Sequence, residues 1–289
     1  MKMSKKIVLY TLYTLAALLF FLYLRFPTQM VGDLVVAEAE KAKPDLQIST
    51  AGAHPVFPPG LKLEPFALAY SDVPIIRMAH LKVLPGLISM FRQNKEMDFS
   101  GPVGSGSLKG HAQIALDERR PKINVVMNLA RVPIETLEIL DLWPDYKLAG
   151  EMNTHIIFDS RKGAGGTTSV NADITPAKII LNEPLMGIEQ MEFTQIVAEM
   201  TVTPRMLQIS RCEAFGNQIE GKITGSIIFR HPLQNSRITL SCTLKPQPAF
   251  AAEHKNDMLG GLLGSESAQK RGVVFRISGT LGSPSYVVR

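Results

Sequence analysis

Catalytic and metal-binding signatures are what this chain most plainly lacks. Its six histidines, at 54, 80, 111, 155, 231 and 254, never fall at ligand spacing, and neither Cys-x-x-Cys nor His-Glu-x-x-His occurs. A metal centre is therefore not expected. Gly104-Ser105-Gly106-Ser107-Leu108-Lys109-Gly110 resembles a nucleotide-binding glycine loop in composition, but it lacks the spacing and leads into a strand rather than a helix. It reads as a flexible approach to a hairpin. Ser267-Ala268-Gln269-Lys270 fits the Ser-x-x-Lys of penicillin-binding enzymes without their Ser-Asp-Asn and Lys-Thr-Gly companions. The expectation is a protein that is not an enzyme and holds no cofactor.

An excess of positive charge is missing too, once the N-terminus is set aside. Lys2, Lys5, Lys6 and Arg25 flank one apolar run, and without these four of the 31 Lys and Arg, 27 face 26 Asp and Glu. The remainder is no footprint for nucleic acid. Cysteine is scarce: Cys212 and Cys242 lie in the first and third of three successive strand-like stretches. In a meander those strands are two spacings apart, roughly 9.6 Å, whereas a disulfide needs Cα atoms within about 7 Å. Free thiols are expected.

What the sequence does have is Ile7–Leu24, IVLYTLYTLAALLFFLYL, an uncharged run about as long as a helix needs to cross a hydrocarbon core. The three lysines before it put the N-terminus in the cytoplasm by the positive-inside rule. A cleaved signal peptide fits less well, because the run is long and no small-x-small site follows closely. Three segments result: a cytoplasmic tip and transmembrane anchor over 1–26, a stalk helix over 27–44 ended by Pro44, and a β-rich domain over 45–289 on the far side of the membrane.

In the outer segment the pattern turns to period two. LKLEPFALAY (61–70) and VPIIRMAHLKVL (73–84) read as strands interrupted at Pro65 and Pro74. SLKGHAQIALD with KINVVMNLARV, and KLAGEMNTHIIFD with TTSVNADIT, read as hairpins, the second around the glycine-rich 161–166. Four further strands lie over 191–203, 205–215, 219–230 and 237–245, and a last one over VVFRISGTLGSPSYVV. In 219–230, Ile219, Ile223, Ile227 and Phe229 share one face and Glu220, Lys222, Thr224 and Arg230 the other, so one face is apolar and the other wet. Short helices are expected after Pro85 and Pro133, giving a loose repeat of strand, helix, strand, turn, strand. Residues 247–271 read as a mobile or partly helical loop. The predicted fold is mainly β: an elongated, twisted antiparallel sheet, curled into a half-barrel or groove to hide its apolar face, with a few short helices.

A single anchor, a stalk, Phe57-Pro58-Pro59-Gly60-Leu61, repeated strand–helix–strand units and the closing Ile277-Ser278-Gly279-Thr280-Leu281-x-x-Pro284 resemble the type II secretion system protein N family. The closing motif is also similar, more distantly, to AsmA-type envelope proteins. The first resemblance implies an accessory subunit in the bacterial inner membrane, its periplasmic domain docking other type II secretion components. The second implies a lipid-binding or lipid-transfer module, its acyl chains held in an apolar groove. The candidate groove residues are Ile223, Ile227, Phe229, Ile238, Leu240 and Leu244.

Overall fold

A computed structural model of the chain describes residues 2–42, 46–56, 60–70, 73–86, 89, 92–115, 122–142, 146–162, 165–185, 188–253 and 270–288. The N-terminal helices are α1 (Lys2–Leu24) and α2 (Thr28–Ala42), separated at Phe26-Pro27. The side chains of α1 are described without a break only from Lys6 to Thr14. Among the described residues no helix is long and apolar enough to cross a membrane. The expected stalk is a helix, but α2 lies against the β domain, with Val31 and Val35 packed on its core.

Two antiparallel sheets follow. The small one orders β1 (Leu46–Thr50), β4 (Phe66–Tyr70) and β5 (Val73–Met78) as β1-β4-β5. The large one begins with β2 (Ala53–Val56), β3 (Gly60–Leu63), β6 (Leu81–Pro85), β7 (Asn94–Val103), β8 (Gly106–Ala115), β9 (Lys122–Pro133) and β10 (Tyr146–Asp159). It continues through β11 (Thr167–Leu185), β13 (Gln195–Thr203), β14 (Met206–Phe215), β15 (Ile219–Ile228), β16 (Arg237–Pro246), β17 (Val273–Thr280) and β18 (Ser283–Val288). From β6 onward the strands of this path follow one another in chain order, mostly through turns or short connections, the long exception being residues 247–272 between β16 and β17.

The one branch is at β11. Its first half pairs with β13 and its second half with β12 (Ile188–Phe193). The change of partner falls at Thr175-Pro176, where proline cannot donate to a ladder, opposite a register break between Gly150 and Met152 on β10.

The two predicted hairpins are present as β8–β9 and β10–β11. Some boundaries differ. The stretch 61–70 divides at Pro65 into β3 and β4, and 73–84 into β5 and β6, with the halves in different sheets. The single closing strand is a hairpin, β17 and β18, folded at Leu281-Gly282, whose N–H groups donate to Ser236 O and Gln234 O at 2.9 Å each. The helix expected after Pro133 is two short 3₁₀ turns, Ile134–Thr136 and Glu138–Leu142. The one expected after Pro85 falls partly outside the described residues, at 87–88 and 90–91. Of the 247–271 loop, Pro248–Glu253 forms a helix, α3, and 254–269 lie outside the described residues.

The expected half-barrel is not formed. β2 and β18 stand at opposite ends of an open sheet, and its apolar face is covered in patches rather than by closure. At one end the small sheet and α2 seat Phe66, Ile76 and Met78 on Val103, Leu108, Leu129 and Val132. In the middle Ile134, with Leu137 and Leu140, covers Ile174, Ala177, Phe193 and Ile196. Near the other end Phe250 of α3 covers Ile219 and Val273. The middle and far lids are short segments local in sequence, whereas the first is a small sheet whose β1–β4 pairing spans β2 and β3 in the chain.

Candidate functional site

The cross-strand register aligns one residue from each strand of the main path into a single row. It runs Pro55, Leu61, Val83, Phe99, Gly110, Met127 and Ile156, then Val170, Met200, Ile209, Gly225, Leu240, Ile277 and Tyr286. Directly opposed residues in an antiparallel ladder share a face. Fourteen successive strands thus present neither a charge nor an amide at this level, over roughly 62 Å at ~4.8 Å per strand.

A parallel row one pleat away runs Pro85, Met97, Ala112, Val125, Phe158, Thr168, Val202, Leu207, Ile227, Ile238 and Gly279, with Thr168 as its one hydroxyl. Gly225 keeps the first row shallow at β15. Its φ is +140°, and a Cβ there would lie 2.2 Å from Thr239 O.

The lids cover this face unevenly. Val170, Met200, Val202, Leu207, Ile209, Ile223, Ile227, Leu240 and Ile277 are all half-buried and belong to none of the three buried clusters. Ile238 is buried. The predicted groove residues divide accordingly. Ile227 faces Ile238, while Ile223, Leu240 and Leu244 face Cys242, Gly225 and Gly221 on the same side of the sheet. Leu244 is drawn into the patch under Phe250. Phe229 lies past the end of β15, its N–H donating to Arg205 O at 2.8 Å.

The sequence reading missed the first half of the row and Met200, Leu207, Ile209, Ile277 and Tyr286. Apolar alternation marks each strand, but joining strands into one row needs the positions of the bulges. Between Ile209 and Cys212 a bulge holds both on the apolar face. A second, at Ala130-Arg131, does the same for Leu129 and Val132, with Arg131 at φ +50°.

Cys212 and Cys242 both lie opposite Ile223, one on each side, and both are free. The strand order expected from sequence is the one found. Burial raises both thiol pKa values, Cys242 to about 11 with Cys212 adding to the effect, and Glu213 adding at Cys212.

The opposite face is wet. Ser169, Thr201, Gln208, Ser226, Thr239, Ser278 and Ser285 form a row of small polar groups across seven strands. Beside it Arg211 pairs with Glu213 at 2.6 Å and Glu199 at 3.5 Å, and Lys222 with Glu213 at 3.2 Å. These are exposed bridges of small energetic weight. A shallow hollow of about 570 Å³ lies among Asn128, Asn153, His155, Asn171, Asp173 and Glu199, with His155 Nδ1 2.6 Å from Asn128 Oδ1. No nucleophile stands against a base there, and among the described residues no three His, Cys, Asp or Glu converge as metal ligands. Comparison of the chain with protein-family models, curated proteins and solved structures finds no match.

Proposed function

We propose that this protein is a non-catalytic, membrane-tethered envelope protein that holds lipid acyl chains along the apolar stripe of its open sheet. The observation that carries this is the uninterrupted apolar row from Pro55 to Tyr286, half-buried from Val170 to Ile277 where the lids leave it. An acyl chain needs a long, dry, uncharged surface and few directional contacts, which is what such a row offers. The tether is α1, supported by the uncharged run Ile7–Leu24, with the N-terminus cytoplasmic and the β domain periplasmic.

The period-two alternation provides the test. A photo-crosslinking amino acid placed singly at position 227 or 240 of the full-length protein in cells should capture phospholipid. At positions 226 and 239, one residue away on the wet face, it should not. Equal capture at all four positions, or at none, would sink the proposal.

A second reading follows the type II secretion resemblance and makes the chain an accessory subunit that docks other secretion components. The broad wet face of small polar residues supports it, since that surface can receive a protein without uncovering apolar area. Deletion of the gene separates the two. A detergent-sensitive outer membrane with normal exoprotein release supports the lipid reading, and the reverse supports secretion.

A further inference from the structure

We infer that Thr154 is the polar anchor of the acyl site, its hydroxyl holding one uncharged oxygen of the lipid, either an ester carbonyl or a hydroxyl on the chain. The inference rests on the lipid reading above and adds to it what kind of chain the stripe selects. Among the described residues, Thr154 Oγ1 is the one buried side-chain polar atom without a hydrogen-bond partner. The residue is 7% exposed and stands on the apolar face, with Met152 and Ile156 on either side of it along β10. Burying a hydroxyl without a partner destabilises a fold, and valine, nearly the same in shape, would fill the place without that loss. A trapped water is a poor partner here, because it needs two to four polar groups of its own. From β9 to β13 the facing residues around Thr154, which are Leu129, Val132, Val170, Ala172, Ile174 and Ala198, offer no second polar side chain.

Beside Thr154 the apolar face is lowered. Directly opposite it is Ala172, followed on the next strands by Ala198 and Cys212. The rows flanking these small residues are bulkier, with Val170, Met200 and Ile209 on one side and Ile174 and Ile196 on the other. A trough results, roughly 14 Å long from β10 to β14, with Ile223 at its far end. Ala172 and Ala198 are half-buried and belong to none of the three buried clusters. Thr154 closes the near end, against Leu129, which is buried with the small sheet. A turn about Cα–Cβ exchanges Oγ1 with Cγ2, and strands admit more than one such rotamer. Presenting the hydroxyl to the trough therefore requires no lid to lift.

The surroundings select the chemistry of the oxygen. Neither the trough nor the two rows beside it carries a charge from β10 to β14. A phosphate or carboxylate seated at Thr154 would be buried without a counter-charge, which is strongly unfavourable. An ester carbonyl accepts one hydrogen bond and a chain hydroxyl exchanges one, and Thr154 supplies either.

The test titrates the full-length protein, held in amphipol, with three uncharged probes: a hydrocarbon of matching length, methyl myristate and methyl β-hydroxymyristate. Each is read by displacement of a fluorescent fatty-acyl ester. Thr154→Val should leave the hydrocarbon's affinity unchanged and weaken an oxygenated probe roughly tenfold, as the loss of one buried hydrogen bond implies. Thr154→Ser should stay close to the native protein. Equal weakening of both esters assigns the contact to the ester carbonyl, and weakening of the hydroxylated ester alone assigns it to the chain hydroxyl. Unchanged affinity for all three probes overturns the inference. So does an equal loss for the hydrocarbon, which would make Thr154 a packing residue, or a ligand-free Thr154→Val that melts well below the parent, which would mean that the hydroxyl has a partner within the fold. In each of those cases the lipid reading survives. A native protein that binds none of the probes would instead remove the lipid reading, and this inference with it.

Discussion

Asp159 is the residue at which the sheet's stability is most directly tied to acid. It ends β10 with its side chain 8% exposed, and Arg161 Nε and Nη2 donate to its two oxygens at 2.9 Å each. Those bonds, then the Arg161 backbone N–H, hold its carboxyl at about 2 against an ordinary 3.8. A depressed carboxyl stabilises the fold above its unfolded value and loses that contribution as pH falls through the folded one. Asp159→Asn should therefore melt below the parent at pH 7, with the gap closing between 3.8 and about 2. Scanning calorimetry along that series is the check; a gap independent of pH would assign the loss to packing. The cysteines give a second prediction. Raised thiol pKa values and partial burial predict slow alkylation of Cys212 and Cys242 at pH 8 in the native protein and full reaction of both on denaturation without reductant. Resistance before reduction would reveal a bridge. The relation of these two residues was legible in sequence because it needs only strand order. Their shared face with Ile209 was not, because the bulge that sets it contains ordinary residues, Ser210 and Arg211.

Among the elements, the 3₁₀ segment after β9 shows how a short covering piece substitutes for closure. Ile134, its first residue, is 4% exposed, and Thr136 Oγ1 donates to Pro133 O at 2.7 Å, tightening the first turn. Ile134→Ala should cost about 2–5 kcal/mol, the range for emptying a buried aliphatic site. Urea unfolding gives the magnitude. Hydrogen exchange should show the loss concentrated on β10, β11 and β13, the strands supplying Ile174, Ala177 and Ile196 and their neighbours. Hairpins such as β8–β9 were readable because turn and alternation lie side by side in the chain. The division of 61–70 between two sheets was not. Pro65 marks the interruption, but sheet membership depends on β1 and β6, which lie on either side of it in the chain.

At the scale of the molecule, an apolar sheet face was expected to hide by curling, and instead lids cover parts of it and leave the stretch from Val170 to Ile277 half-buried. The premise was sound, since the face is apolar, but closure is only one way to remove it from water. On the proposed orientation, protease added to spheroplasts should digest the chain beyond α1 and spare an N-terminal tag. Loss of that tag would reverse the orientation. From β6 to β18 the main path runs in chain order, with β12 as the branch. Such a stack behaves like a one-dimensional lattice, each strand coupled mainly to two neighbours. Its span is then a tally of hairpins. Excising an adjacent pair such as β14 and β15 would leave direction, face and both ends intact while shortening the molecule by roughly 10 Å. Its reach should be adjustable by duplication or deletion of such units, one hairpin at a time.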